Sequence, residues 1–262
     1  MRWGLIALFL VIAVGGTYLA QYLRRSPMAD RFSFQIIEQY PHDPTSFTQG
    51  LFFDNGFLWE STGRYGESKV RKLDLKTGEV LDEHKLSDQY FGEGMAVLGD
   101  QLFQLTWKEG VALVYDRELN EVKQFKYDGE GWGLTTNGTD LIFSNGTPEI
   151  KFLDPKTFKE RSSIWVRRKS GRPAGRLNEL EYSIPNKKIY ANNYLTDEVL
   201  EIDPETGTVT KVIDLSGLWP SKDRPEDGVL NGIAINPETG KLLVTGKLCP
   251  KVFELNLVPA QR

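Results

Sequence analysis

The chain has 262 residues, 40% apolar and 11% aromatic, enough to bury a large core and too apolar for a disordered polymer. Beyond residue 25 it carries 29 basic against 36 acidic residues, which argues against nucleic acid as a partner. One cysteine, Cys249, and two histidines, His42 and His84, exclude an intrachain disulfide and leave too few ligands for a typical zinc site, so no metal or cofactor is expected.

Residues 1–25 read as a targeting segment. Trp3 to Leu23 is an uncharged run of 21 residues behind Arg2 and ahead of Arg24 and Arg25, long enough to cross a bilayer. Tyr18 in "TYLAQYL" stands where a cleavable signal needs a small residue, so an uncleaved anchor is favoured, with a cleaved signal as the alternative. The flanking arginines oppose one another under the positive-inside rule and leave orientation open. The expectation is an exported domain on the periplasmic or extracellular face, anchored or secreted, with membrane contact through this segment only. Residues 26–31 are expected to be a linker, and 32–262 one monomeric domain.

From Phe32 onward, short alternating apolar runs separated by Gly, Asn, Asp and Pro predict an all-β fold. The first run, "RFSFQIIEQY", predicts a strand at Ser33–Tyr40 that belongs to no following unit. Five units then succeed one another, each opening on a small motif: "QGL", "EGM", "WGL", the variant "NEL", and "NGI". Each continues through a strand such as "GFLWESTG" or "KLLVTGK" to a third that closes on Asp74, Asp116, Asp154, Asp203 or Asn256. The opening apolar residues Leu51, Met95, Leu134, Leu180 and Ile233 recur at the spacing of four-stranded propeller blades. "VLDEHKL", "VKQFKY", "RSSIWV" and "VTKVIDL" supply a fourth strand to four units. The fifth unit has none, so Ser33–Tyr40 is expected to complete it, giving a five-bladed β-propeller closed by its N-terminal strand. An irregular β-sandwich is the alternative.

First strands of propeller blades line the central channel. The residue two before each opening apolar position gives a ring of Gln49, Glu93, Trp132, Asn178 and Asn231. Of the two "GEG" glutamates, Glu93 is in register and Glu130 is two places upstream, so Glu93 is the candidate acid/base. Phe47 and Phe91 stand two places ahead of Gln49 and Glu93; their apolar surroundings are expected to raise the Glu93 pKa. Trp107 and Lys247 end second strands near a channel mouth. His42 reads as a turn residue, and the two "NGT" sequences as Asn-Gly turns.

At these same residues, "HDPTSFTQGL", "FGEGMAVLGDQLFQLTW", "GEGWGLTTNGTDLIFSNGT", "LNELEY", "VLNGIA" and "VTGKLCPKVFEL" resemble, in order, the plant and bacterial type glutamine cyclotransferases. The resemblance implies a five-bladed propeller without a catalytic metal, acting on peptides or proteins with N-terminal glutamine. It further implies Glu93 as acid/base, Gln49, Asn178 and Lys247 as polar site groups, and Phe47, Phe91, Trp107 and Trp132 as aromatic walls. Tyr194 and Cys249 stand where the family pattern has tryptophan, which puts one wall and the surroundings of Lys247 in question. A non-catalytic binding propeller is the second reading; a calcium-dependent propeller hydrolase is disfavoured, since the ring offers one carboxylate.

Overall fold

The structure, a computed structural model, describes residues 29–260. The leader expected at 1–25 lies outside the described residues. The chain is all-β: among the described residues the sole helical element is a single 3₁₀ turn, Ser221–Asp223. Strand β1 (Asp30–Pro41) comes first. Unit one is β2 (Thr48–Asp54), β3 (Phe57–Thr62), β4 (Lys69–Leu73) and β5 (Val80–Lys85), and unit two is β6 (Gly92–Leu98), β7 (Gln101–Thr106), β8 (Val111–Tyr115) and β9 (Glu121–Lys126). Unit three is β10 (Leu134–Thr136), β11 (Leu141–Ser144), β12 (Glu149–Leu153) and β13 (Glu160–Trp165). After the short β14 (Arg167–Arg168), unit four is β15 (Leu177–Ser183), β16 (Lys188–Asn193), β17 (Glu198–Ile202) and β18 (Thr208–Asp214). The last three strands are β19 (Leu230–Ile235), β20 (Leu242–Gly246) and β21 (Lys251–Pro259).

Units one to three are separate four-stranded antiparallel sheets. The remaining strands form one nine-stranded sheet in the order β15-β16-β17-β18-β1-β21-β20-β19, with β14 also on β18. The expected N-terminal completion is present: β1 pairs antiparallel with β21 from Phe32 to Pro41. It is longer than expected. Asp30 and Arg31, placed in the linker by the sequence reading, are strand residues that pair in parallel with Lys211 and Val212 of β18. These surplus residues run past the end of β21 and bond the neighbouring unit, merging two expected sheets into one.

Burial falls from first strand to fourth. Strands β2 and β6 are buried over most of their length, whereas β5, β9 and β13 are largely exposed. The first strands also pack in a cycle, β2 on β6, β6 on β10, β10 on β15, β15 on β19 and β19 back on β2. Five apolar clusters lie between successive units. One joins Phe52 and Trp59 to Met95 and Leu102, and the last joins Leu51 and Leu58 to Ala234 and Leu243, the two ends of the fold. Each large side chain so buried contributes roughly 1.5–3 kcal/mol, so the ring is held by side chains rather than by a continuous ladder.

The variant opening "NEL" has a structural reason. Gly50, Gly94 and Gly232 occupy one position in their first strands, Gly133 the corresponding position just before β10, and Glu179 the same position in β15. A Cβ on Gly133 would collide with the carbonyl oxygen of Asn178, so the strands approach as closely as they do because those residues lack side chains. Glu179, fully buried, accepts the backbone N–H of Leu51 at 3.2 Å and of Ile233 at 2.8 Å. Innermost strands have no ladder partner on one side, and this carboxylate answers two such donors.

Candidate active site

Where the N-terminal ends of the first strands meet, a cavity of about 320 Å³ is lined by Phe47, Gln49, Arg64, Phe91, Glu93, Trp107, Trp132, Asn178, Tyr194, Asp227 and Lys247. Nine of these come from the sequence reading; Arg64 and Asp227 do not. Asn231, the tenth expected residue, is fully buried and does not line the cavity. It acts from behind: Asn231 Nδ2 donates to Thr48 O at 3.0 Å and to Gln49 Oε1 at 3.3 Å, and Gln49 Nε2 donates to Glu93 Oε1 at 3.1 Å. The chain of amides fixes which way the Gln49 carboxamide points. It aims a donor at Glu93.

Burial, the largest influence, pushes the Glu93 pKa well above the usual carboxylate range; Lys247 opposes this, while Glu130 and Glu109 add to it. Lys247 is 5% exposed, and burial lowers its pKa while the charges of Glu93 and Asp227 work the other way. Its ammonium is flanked by rings, with Nζ 4.6 Å from the Phe47 centroid and 5.0 Å from that of Tyr194, a favourable setting for a cation out of water. Acid and amine thus share one apolar pocket. Among the described residues, no three His, Cys, Asp or Glu side chains are grouped to hold a metal ion.

The walls interlock. Phe91 meets Trp107 at 5.5 Å, Phe47 edge-on at 6.2 Å and Tyr65 at 5.4 Å; Trp132 meets Tyr194 edge-on at 5.6 Å. Tyr194, the departure from the family pattern, is therefore still a wall. Cys249 is fully buried in the cluster with Trp219 and Tyr190 and does not line the cavity.

Glu130, set aside on register, has a place of its own. Its Oε2 accepts both the Trp107 indole N–H at 2.9 Å and the Trp132 indole N–H at 3.0 Å. One carboxylate oxygen thereby fixes two walls brought together from different units. Glu130→Ala is expected to raise KM roughly tenfold, the scale of losing one charge-assisted hydrogen bond, with a smaller fall in kcat. Because Glu130 also helps to raise the Glu93 pKa, the kinetic pKa belonging to Glu93 should move to lower pH in the variant. A KM change with an unmoved pH profile would reduce Glu130 to a structural prop.

His42 is likewise more than a turn residue. It is buried, its Nε2 lies 3.0 Å from Glu60 Oε1, and its Nδ1 lies 2.6 Å from the carbonyl oxygen of Cys249. A neutral imidazole has one N–H, and two acceptors require two, so the ring is held as imidazolium. Together with Leu248 N donating to Ser46 O at 2.7 Å, this ties down the loop that carries Lys247. Backbone strain marks the same neighbourhood: Arg64, Leu195, Asp227 and Leu248 all have φ between 62° and 88° without being glycine, and each lines the pocket or follows a residue that does.

A ring of β-sheet units enclosing an aromatic pocket with a buried acid, an amide relay and an ammonium defines a site for a small polar group carried into an apolar space. The family model for glutamine cyclotransferase matches residues 8–257. A glutaminyl-peptide cyclotransferase of Arabidopsis thaliana is 43% identical over 233 residues, covering 86% of this chain and 72% of that one. The crystal structure of Myxococcus xanthus glutaminyl cyclase superposes with a TM-score of 0.82 at 37% identity, over 89% of this chain and 100% of that chain. The chain belongs to the glutamine cyclotransferase family.

Proposed function

We propose that this protein is a glutaminyl-peptide cyclotransferase, closing the N-terminal glutamine of peptides to pyroglutamate with release of ammonia. The observation that carries the reading is Glu93, buried beside Lys247 at the end of an amide relay in a cavity of about 320 Å³ with aromatic walls. We read the fold as a five-bladed propeller, the nine-stranded sheet being two blades joined through β1 and β18. The cyclic packing of five first strands and the five inter-unit clusters support that count.

The pocket explains how one carboxyl serves two proton transfers. Burial disfavours both a carboxylate and a substrate ammonium, so the pair rests as carboxylic acid and neutral amine, the form in which the amine is a nucleophile. The α-amine attacks the γ-carbonyl carbon, and the oxyanion that forms takes N–H donors from Lys247 or Asn178, each worth roughly 2.7–4 kcal/mol when well placed. Glu93 gives its proton to the departing nitrogen. Collapse of the oxyanion expels ammonia, and the Glu93 carboxylate takes the surplus proton from the ring nitrogen, restoring the acid. Asn178 Oδ1 is buried without a hydrogen-bond partner among the described residues and is available to the carboxamide N–H. The rings of Phe91, Trp107 and Trp132 hold the side chain folded towards attack.

Incubating the full-length chain with a Gln-initiated dipeptide should release ammonia and yield a product lacking a free amine. Saturable binding of the dipeptide without ammonia would instead support the non-catalytic propeller.

A further inference from the structure

Basic side chains are unevenly spread over this domain. Residues 161–178 carry six arginines or lysines and no acid, although acids outnumber bases beyond the leader. Arg161 is taken up by Asp140 and Asp154; the others sit on the loop after unit three, where β14 joins the edge of β18. The start of β1 brings Arg31 to the same place. Ala29, Arg31, Arg168, Lys169, Ser170 and Val212 line a concavity of about 120 Å³. Arg31 is held by Asp214 at 3.4 Å and Glu198 at 3.7 Å, and Arg168 by Glu198 at 2.8 Å, whereas Arg167, Lys169 and Arg172 form no ion pair among the described residues. Two residues before Arg167, Trp165 is 47% exposed.

Two further facts select the partner. An exposed indole bordering uncompensated cations has the composition of a membrane–water interface, where the ring settles among headgroups and the cations meet lipid phosphate. The tether also ends here. The uncharged run stops at Leu23 and Ala29 lines the concavity, so five residues separate them, a span of at most about 21 Å from Leu23 to Ala29 when extended. If residues 3–23 cross a bilayer, Ala29 at the rim of the patch lies within that reach of its surface.

We propose that the outer edge formed by Arg31, Arg167, Arg168, Lys169 and Arg172 with Trp165 docks on the anionic phospholipid headgroups of the membrane that holds the chain. Membrane contact then extends beyond the N-terminal segment. The surface is independent of the reaction, since none of its residues lines the active-site cavity.

The test places a fluorophore on Ser170→Cys, an exposed position that the fully buried Cys249 does not rival for labelling. The full-length chain is inserted into nanodiscs of phosphatidylcholine, alone or mixed with phosphatidylglycerol, each with a headgroup-borne quencher. Quenching should be strong in the anionic discs, fall in high salt and be lost in R167E/K169E/R172E, each lost cation weakening docking by roughly fivefold. The triple variant should keep its Tm and its ammonia release from a soluble dipeptide. Should it fail to fold, R167Q/K169Q/R172Q carries the same expectation. Protein that does not stay in discs is tested by co-sedimentation, where anionic but not neutral vesicles should retain it. Equal quenching or retention with neutral and anionic lipid, or a signal indifferent to the triple substitution, overturns the proposal.

Discussion

Glu93→Gln is expected to lower turnover by about 10²-fold or more while leaving KM within a few-fold, the pattern for losing an acid/base rather than a binding contact. The substitution keeps the side-chain volume but removes the ionisable group, so neither transfer to the leaving nitrogen nor recovery of the ring proton has a carrier. Its new amide faces the Gln49 donor at the place where Oε1 accepted at 3.1 Å, so the binding pocket should survive. Burial raises the Glu93 pKa, and the acid form is the one that acts, so kcat/KM in the native chain should fall as pH rises through that raised value. The variant should lose this limb. Ammonia release across pH, with thermal unfolding as control, measures both; a variant with native turnover would remove Glu93 from the reaction.

Glu60→Ala should have the largest effect on stability. Glu60 is fully buried and takes His42 Nε2 at 3.0 Å, Ser46 Oγ at 3.0 Å and Thr48 Oγ1 at 2.6 Å. Removing one member of a buried ion pair costs about 3–5 kcal/mol, a fall in Tm of roughly 6–20 °C for a domain of this size. The pH dependence follows from the two shifts. Burial opposes both charges, but the pair raises the His42 pKa and lowers that of Glu60. The His42 share of stability is complete below its unfolded pKa and is lost as pH rises through the raised folded value. The Glu60 share is complete above its unfolded pKa and is lost as pH falls through the lowered one. The native chain should thus be most stable between these limits, and Glu60→Ala should flatten the profile at both ends. A loss below about 1 kcal/mol, the scale of an exposed pair, would mean that water reaches the site. Because His42 also holds the Cys249 carbonyl, Glu60→Ala should loosen the Lys247 loop and lower kcat below the melting range.

The sequence by itself determined the strands, their grouping and most of the pocket. Strand faces alternate with period two, so the apolar pattern marks the strands of the five units and β1 but not the two-residue β14, and the shared register of the five openings places Gln49, Glu93, Trp132 and Asn178 on one ring. Closure by β1 was legible because the fifth unit lacked a fourth strand. The tertiary structure alone decided what happens between units. Glu130 lies out of register in the segment before β10 and still meets Trp107 and Trp132, because adjacent units converge at their inner ends. His42 reaches Cys249 only once the ends of the chain are joined. Arg64 and Asp227 sit on turns with positive φ, which no strand period reports, and are brought to the pocket mouth from opposite ends of the sequence. Local periodicity reports which way a side chain points from its own strand; which partner it meets depends on contacts between residues far apart in the chain, and those exist only after the ring has closed.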